Sequence, residues 1–596
     1  SNLWRRRFGR TLATMDGAFD WVEYAVFCSM LGLSLTIGLY YGCLRRTQDS
    51  VLEYFLGGKN MRTLPVAISL MASHVSGITI IGVPAEVYVY GTQFYAVCLC
   101  SLLVMGCVVL FFIPVFYPLQ LNSFFKYLEL RFSSSVRIFA SLIFNLGLVL
   151  HMSVVIYIPA MAFSQVSGVP VQTTTSVVSL ICILYTTVGG LRAVIWTDAI
   201  QTVFMVVSMV VIIVLGVARV GGVTQLFTLA AQGHRLELFN WDPDPFARHT
   251  LCSMLLGCSF TLLAYQACSP GTIQRFIAVP SQQAAKRVMM WSTAGFVGMN
   301  TLAVLVGLIL YARYHQCDPI ATQKVRHSGQ LLPMFVMELG AQIPGFSGLF
   351  IAGVFSAALS TMSAGLNTAA GTVYEDFVLR VYPHHSDSAG AFMVKLIALL
   401  FGIASVLLVF FVSQLGGILQ LALSLLGVTH GAILFLFTFG MFFPWGTTKG
   451  ALSGAAASLA VMAYFVVTAQ VAIAHRHIRF PGKAVSIDGC DGTFNTTQLP
   501  ISSYDGVGSL TWSDGSVPQI YQLSYLYYNV VGALVGFLVA VPVSIFTRTP
   551  LADLDPRLVV PQLRWLLPLQ QKNRTLKVFP VDDDAPLSDT REMDYL

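Results

Sequence analysis

LPVAISLMASHVSGITIIGVPAEVYVYG, residues 64–91, decides the fold. The run is long and apolar enough to enter a bilayer, yet Ala72, Ser73, His74, Val75, Ser76, Gly77 and Thr79 interrupt its middle with small and polar residues. Backbone freed from a helix at membrane depth survives only where it is buried in protein or lines a wet cavity. Freed carbonyls beside hydroxyls suit a bare sodium ion, and helix ends aimed into a cavity suit a carboxylate. The competing reading is a continuous helix that packs closely through its small residues. This stretch alone leaves both open.

Composition widens the argument. The chain has 596 residues, of which 56% are hydrophobic and 10% charged, and its mean hydropathy is +0.72. A soluble domain carries about 25% charged residues, so a polytopic, all-α membrane protein is expected. The net charge of +6 lies mostly in loops and tails, where orientation in the bilayer explains it as well as an anionic ligand does. No basic run with interleaved aromatics calls for nucleic acid. Most of the 11 cysteines sit in apolar runs and read as small buried hydrophobes. Cys317 and Cys490 fall instead in long polar loops, and a disulfide between them is expected if those loops face outward. The first apolar run starts only at Trp21, behind SNLWRRRFGR, which is not the pattern of a cleavable signal peptide.

Counting runs of roughly 20 apolar residues gives about thirteen spans. An odd number puts the termini on opposite sides. With the segment 1–20 outside, the loops carrying Arg45, Arg46, Lys59 and Arg62, then Lys126, Arg131 and Arg137, then Arg275, Lys286 and Arg287 become cytoplasmic, although Arg5, Arg6, Arg7 and Arg10 oppose that choice. A first helix at 21–42 precedes the bulk of the spans, and two more lie within 448–546. The loop 471–523 then faces outward and offers Asn495 as a glycosylation acceptor. The tail 547–596 is cytoplasmic, rich in Pro, Asp and Arg, and expected to be mostly disordered. No P-loop, metal-ligand cluster or nucleophile with base and oxyanion donor can be named, so neither an ATP-driven pump nor an enzyme is expected.

A second interrupted helix is predicted over Phe355–Thr372, FSAALSTMSAGLNTAAGT. Ala357, Ser360 and Thr361 share one face there, and a carbonyl with two hydroxyls supplies the hard oxygens that sodium prefers. The same residues could instead bind their own helix backbone. Asp198, with Gln201 one turn on, is either an intramembrane functional carboxylate or an interface marker at a helix start, since spans are expected at 172–188 and 197–217. His74, His430, Gln420, Tyr265 and Gln266 are the other polar side chains within apolar runs.

The motifs ASHVSGITIIGVPAEVYVYG, FFKYLELRF, GGLRAVIWTDAIQ, YHQCDP, ALSTMSAGLNTAAGTVYED, LGGILQLALSLLG and LSYLYYNVVGALVG resemble those of the sodium:solute symporters of solute carrier family 5. The similarity runs from Trp21 to about Arg557, and the nearest branch is the animal sodium-coupled monocarboxylate and multivitamin transporters. It implies a LeuT-like fold with two inverted five-helix repeats, at 64–217 and 251–442, in a plasma-membrane symporter coupled to sodium. It implies a sodium site formed by Ala72, Val75 and Ala357 through carbonyls and by Ser360 and Thr361 through hydroxyls. A second sodium site is implied at Ser73, Thr79, Asp198 and Gln201. The solute, a small and anionic one, is expected among His74, Ser76, Gly77, Tyr265, Gln266, Ser269, Gln420 and His430. One departure bears on the solute: Ser269-Pro270-Gly271 stands where close relatives carry an Asn-Gln pair, before Gln274-Arg275. No organic cofactor is implied.

Overall fold

The computed structural model describes residues 19–44, 59–121, 123–341, 343–412, 418–475, 477–480, 482–490, 512–513, 517–547 and 554–567. The helices that position the site are α1 (Trp21–Leu39), α2 (Thr63–His74), α3 (Ile78–Tyr90), α4 (Thr92–Leu119) and α5 (Ser134–Ser167). They are followed by α6 (Val171–Val220), α7 (Ser253–Ala267), α8 (Pro270–Ile277) and α9 (Gln282–Tyr314). The remaining long helices are α10 (Phe346–Val373), α11 (Asp387–Val412), α12 (Ile418–Phe442), α13 (Thr448–Ala474) and α14 (Tyr528–Phe546). Among the described residues, nine helices are long and apolar enough to cross a membrane, and α2 with α3 forms a further pair bent by 58° at its break. The sheet content among those residues is one two-residue antiparallel ladder, Ile478–Arg479 with Trp512–Ser513.

The break between α2 and α3 has a local cause. Val75 N–H closes the last helical bond, onto Met71 O at 3.0 Å. In an unbroken helix, Ile78 and Thr79 would then donate to the carbonyls of His74 and Val75. Ser76 diverts both: Ile78 N–H goes to Ser76 Oγ at 3.2 Å and Thr79 N–H to Ser76 O at 2.9 Å. Val75 itself is extended, at φ −97° and ψ 109°.

The predicted interruption in Phe355–Thr372 is not present, because α10 runs unbroken through it. Its hydroxyls bind the helix from within. Thr361 donates to Ala357 O, Thr368 to Ala364 O and Thr372 to Thr368 O, so the polar side chains consume backbone acceptors without opening the ladder. This helix is the axis of the molecule: its side chains are buried over nearly the whole length, against α1, α2, α5, α6 and α11.

The expected spans 172–188 and 197–217 fall within α6 as two helices joined end to end across a kink, where Gly190 leaves the helical region at φ 56° and ψ −164°. Only glycine visits that backbone conformation freely. Asp198 lies about two turns past that kink with no solvent exposure. Arg275, placed by sequence in a cytoplasmic loop, is instead on α8 and 3% exposed. The tail also departs from expectation in part. Leu558, Val559 and Val560 are buried, Tyr127 Oη donates to Leu558 O at 2.9 Å, and Val560 N–H to Met441 O at 3.2 Å. The tail beyond 567, the segment before Phe19 and Asn495 lie outside the described residues, as does the side chain of Gln420.

Two charged clusters close the helix ends. Arg248, just before α7, pairs with Glu86 of α3 at 2.7 Å under the rings of Tyr90, Phe480 and Tyr525. Burial pushes the neighbouring His249 down to about 4, so at neutral pH it shares a 2.9 Å hydrogen bond with Tyr525 Oη without adding a second cation beside Arg248. On the same side, Cys317 and Cys490 are joined in a disulfide. At the other pole, Arg131 caps α12 by donating to the carbonyls of Gly440, Phe443, Pro444 and Gly446 at 2.7–3.3 Å. Each charge-assisted bond of this kind contributes about 1.5–3 kcal/mol. Arg131→Ala is expected to lower the melting midpoint of the detergent-solubilised protein by several degrees, and Arg131→Lys to recover little of it, because an ammonium cannot span a fork of carbonyls. Unchanged melting of both variants would show that these carbonyls are satisfied without the guanidinium.

Candidate functional site

The site begins with a buried charge. Asp198 Oδ1 accepts the hydroxyl of Ser360 (α10) at 2.6 Å, and Oδ2 accepts that of Ser69 (α2) at 2.5 Å. Arg275 Nη2 (α8) lies 3.6 Å from the same Oδ2. The guanidinium is otherwise committed to Ser69 Oγ at 3.1 Å, Ser73 Oγ at 2.8 Å and Gly271 O at 3.1 Å. Ser73 in turn donates back to Ser69 O at 2.8 Å. Four helices thus meet on one ion pair whose oxygens and N–H groups are nearly all spoken for. Pairing is what permits charge at this depth, since an isolated ion costs several kcal/mol to bury.

Beside the pair, the broken end of α2 touches α10. Thr361 Oγ1 lies 3.3 Å from Ser73 O and 3.1 Å from Ala357 O. Ala72, Val75, Ala357 and Ser360 are all 0% exposed, and Thr361 is 5% exposed. The Ser73 carbonyl at the open end of α2 therefore stands against the Thr361 hydroxyl, next to the buried Ser360. Ser360 and Thr361 donate their O–H groups elsewhere, to Asp198 and to carbonyls, which leaves oxygen lone pairs for a cation.

The four residues of the second sodium set are less closely gathered. Ser73 and Asp198 are linked through Arg275, Gln201 Nε2 donates to Ser34 Oγ of α1 at 3.2 Å, and Thr79 lies beyond the break on α3.

A cavity opens next to the break. His74, Tyr265, Ser269 and His430 line it, together with Ser73, Thr361 and Arg275. Ser76, Gly77 and Gln266 are buried but do not line it. Ser76 Oγ is occupied by Ile78 N–H, Gly77 packs on Pro159 of α5, and Gln266 is turned about 100° around α7 from its neighbour Tyr265. Sequence reasoning missed Arg275, His151, Gly271, Thr272 and Thr368 in the lining. The signal for His151 was present, a lone imidazole in the apolar run LVLHMSVV like that of His430 in LLGVTHGAIL.

The Ser269-Pro270-Gly271 departure now has a structural meaning. α7 ends at Cys268, Ser269 is extended, and Pro270 opens α8, where its missing N–H costs nothing. A side chain at Gly271 would collide with Thr368 Oγ1, at 2.6 Å from its first carbon. Backbone of α8 thus approaches α10 closely at Gly271, and the helix N-terminus faces the cavity through Ser269, Gly271 and Thr272.

A model of the sodium:solute symporter family matches residues 54–457. The chain belongs to that family. Sodium-coupled monocarboxylate transporter 2 of Mus musculus is 34% identical over 580 residues, covering 97% of this chain and 92% of its own. Sodium-coupled monocarboxylate transporter 1 of Homo sapiens is 33% identical over 91% of this chain and 90% of its own, and the sodium-dependent multivitamin transporter of Oryctolagus cuniculus 34% identical over 94% and 88%. Among solved structures, a Na+-coupled sialic acid symporter in a substrate-bound outward-open state superposes with a TM-score of 0.72 at 23% identity, covering 89% of this chain and 98% of that one. The family member described here is therefore a multi-pass membrane protein and a sodium-coupled symporter, with transporters and not enzymes for relatives.

Removing one partner of a buried ion pair costs about 3–5 kcal/mol because the other charge is left behind. Asp198→Asn and Arg275→Met are each expected to reduce folded protein at the surface sharply, and the double variant to be more stable than either single one. Thermal midpoints of the three in detergent give the coupling; strictly additive losses would show that the two charges do not interact.

Proposed function

We propose that this chain imports a small organic anion, a monocarboxylate or vitamin-type carboxylate, together with sodium by alternating access at the plasma membrane. The observation that carries the reading is the meeting of α2's open end with Thr361 beside a cavity that α8 enters by its N-terminus. The first feature offers neutral oxygen ligands to a sodium ion. The second puts the positive end of a helix dipole where a carboxylate would bind. Sodium is held by the carbonyls of Ala72, Val75 and Ala357 with the hydroxyls of Ser360 and Thr361. A second sodium at Ser73, Thr79, Asp198 and Gln201 would have to share Asp198 with Arg275.

The architecture proposed with it has thirteen spans in two inverted repeats, 64–217 and 251–442. The bend at Gly190, the break at Val75 and the break at Cys268–Ser269 support that division, the last two because they lie in the opening helices of the two repeats. A disulfide between Cys317 and Cys490 supports an outward position for both their loops, hence an outer N-terminus and a cytoplasmic tail. A different solute, such as an inorganic anion, a sugar or choline, is the second reading, kept open by Ser269-Pro270-Gly271, where the family resemblance leads one to expect an Asn-Gln pair.

Sodium binding and solute binding at adjoining sites must raise each other's affinity equally. Uptake of labelled lactate, biotin, pantothenate, iodide, glucose and choline, with sodium or an inert cation outside, is expected to show sodium-dependent entry of a carboxylate. Thr361→Ala and the Ser360→Ala/Thr361→Ala pair should abolish that entry with protein still at the surface. Uptake of glucose, choline or iodide alone would move the assignment to the second reading, and a sodium leak without any uptake would end the symport of these solutes.

A further inference from the structure

The ion pair leaves a question about recognition. Arg275 has its guanidinium spent on Asp198, Ser69, Ser73 and Gly271, so the cavity's other polar groups must select the solute. They are concentrated around Tyr265. The rings of His74 (α2), His151 (α5) and His430 (α12) stand 5.3, 5.8 and 6.2 Å from its ring, centroid to centroid. His430 Nδ1 shares a hydrogen bond with Thr429 Oγ1 at 3.1 Å. His151 differs from His430 in its hydrogen bonding and from His74 in its deeper burial. It is 6% exposed, lines the cavity, and neither ring nitrogen has a hydrogen-bond partner.

Buried polar atoms without partners cost about 1–3 kcal/mol each, and they are retained where a ligand completes them. A neutral imidazole presents one N–H donor and one nitrogen acceptor. A hydroxyl group, which both donates and accepts, satisfies either nitrogen; a keto oxygen answers only the donor, and a methyl group neither. The space is small as well. The cavity encloses about 60 Å³ where one water requires roughly 10–15 Å³, room for a solute of few heavy atoms.

We infer that His151 is a specificity-determining residue that recognises a hydroxyl substituent, so that the preferred solute is a short hydroxy acid over the unsubstituted acid of the same length. This rests on the carboxylate reading above. The carboxylate takes the α8 end of the cavity, and the hydroxyl takes the imidazole of His151, against Tyr265. A site built to hydrogen-bond a hydroxyl rejects the analogue lacking it, because the buried nitrogen is then left unpaired.

The test measures KM and maximal rate for labelled lactate and labelled propionate, with sodium outside, in cells expressing the full chain. The unaltered protein is expected to favour lactate by about tenfold in KM, the effect of one good hydrogen bond. His151→Phe should erase that preference by raising the lactate KM, with the propionate KM little changed, and His151→Asn, which keeps a donor and an acceptor, should retain part of it. Equal KM values for the two acids in the unaltered protein would overturn the inference and leave the carboxylate reading standing, a result that needs no variant to fold. A His151→Phe protein at the surface that changes both acids alike would overturn it too. Absence of sodium-dependent entry of any carboxylate would overturn both readings together.

Discussion

The contact between Asp198 and Arg275 organises the centre of the molecule. Neither charge could stay at this depth alone, and the groups that satisfy them come from α2, α6, α8 and α10. Because Ser69 and Ser73 lie on the half-helix that ends at the break, the pair also fixes where that open end sits. Because Ser360 precedes Thr361, it sets the face that α10 turns to the released carbonyls. The open end of α2, the Ser360–Thr361 face of α10 and the charge at the centre are thus one network. A change to any of them acts on the others through three serines, Ser69, Ser73 and Ser360.

The break at His74–Gly77 is legible in the sequence because a serine that can divert N–H groups and a glycine fall together inside an apolar run. The continuity of α10 is not legible in the same way. Ser and Thr in a helix can cap a broken end or bind back to their own turn, and the choice at Ser360, Thr361 and Thr368 is made by what packs around them. Arg275 misleads for a related reason. A cation at the end of an apolar run reads as an anchor at the membrane surface, and only the fold reveals a carboxylate of α6 within reach.

The docked segment around Leu558 is hidden from periodicity because it is too short and too rich in proline to show a repeating face; it is held by Tyr127 at Leu558 and by the end of α12 at Val560. Gly271 is the opposite case. A glycine after Pro270 is visible in the sequence, but its purpose, a close approach to Thr368, exists only in three dimensions.

The pairing of Arg275 with Asp198 also bears on how a membrane voltage acts on this protein. The couple carries no net charge, so carrying it as a unit between two arrangements without turning it moves no net charge through the field. Voltage then works through the cargo: one sodium with one monovalent anion is electrically silent, and each additional sodium brings about 2.3 kcal/mol for every 100 mV. The number of ions per solute, and no gating side chain at this centre, would then decide whether the transporter draws on the membrane potential or on the sodium gradient alone.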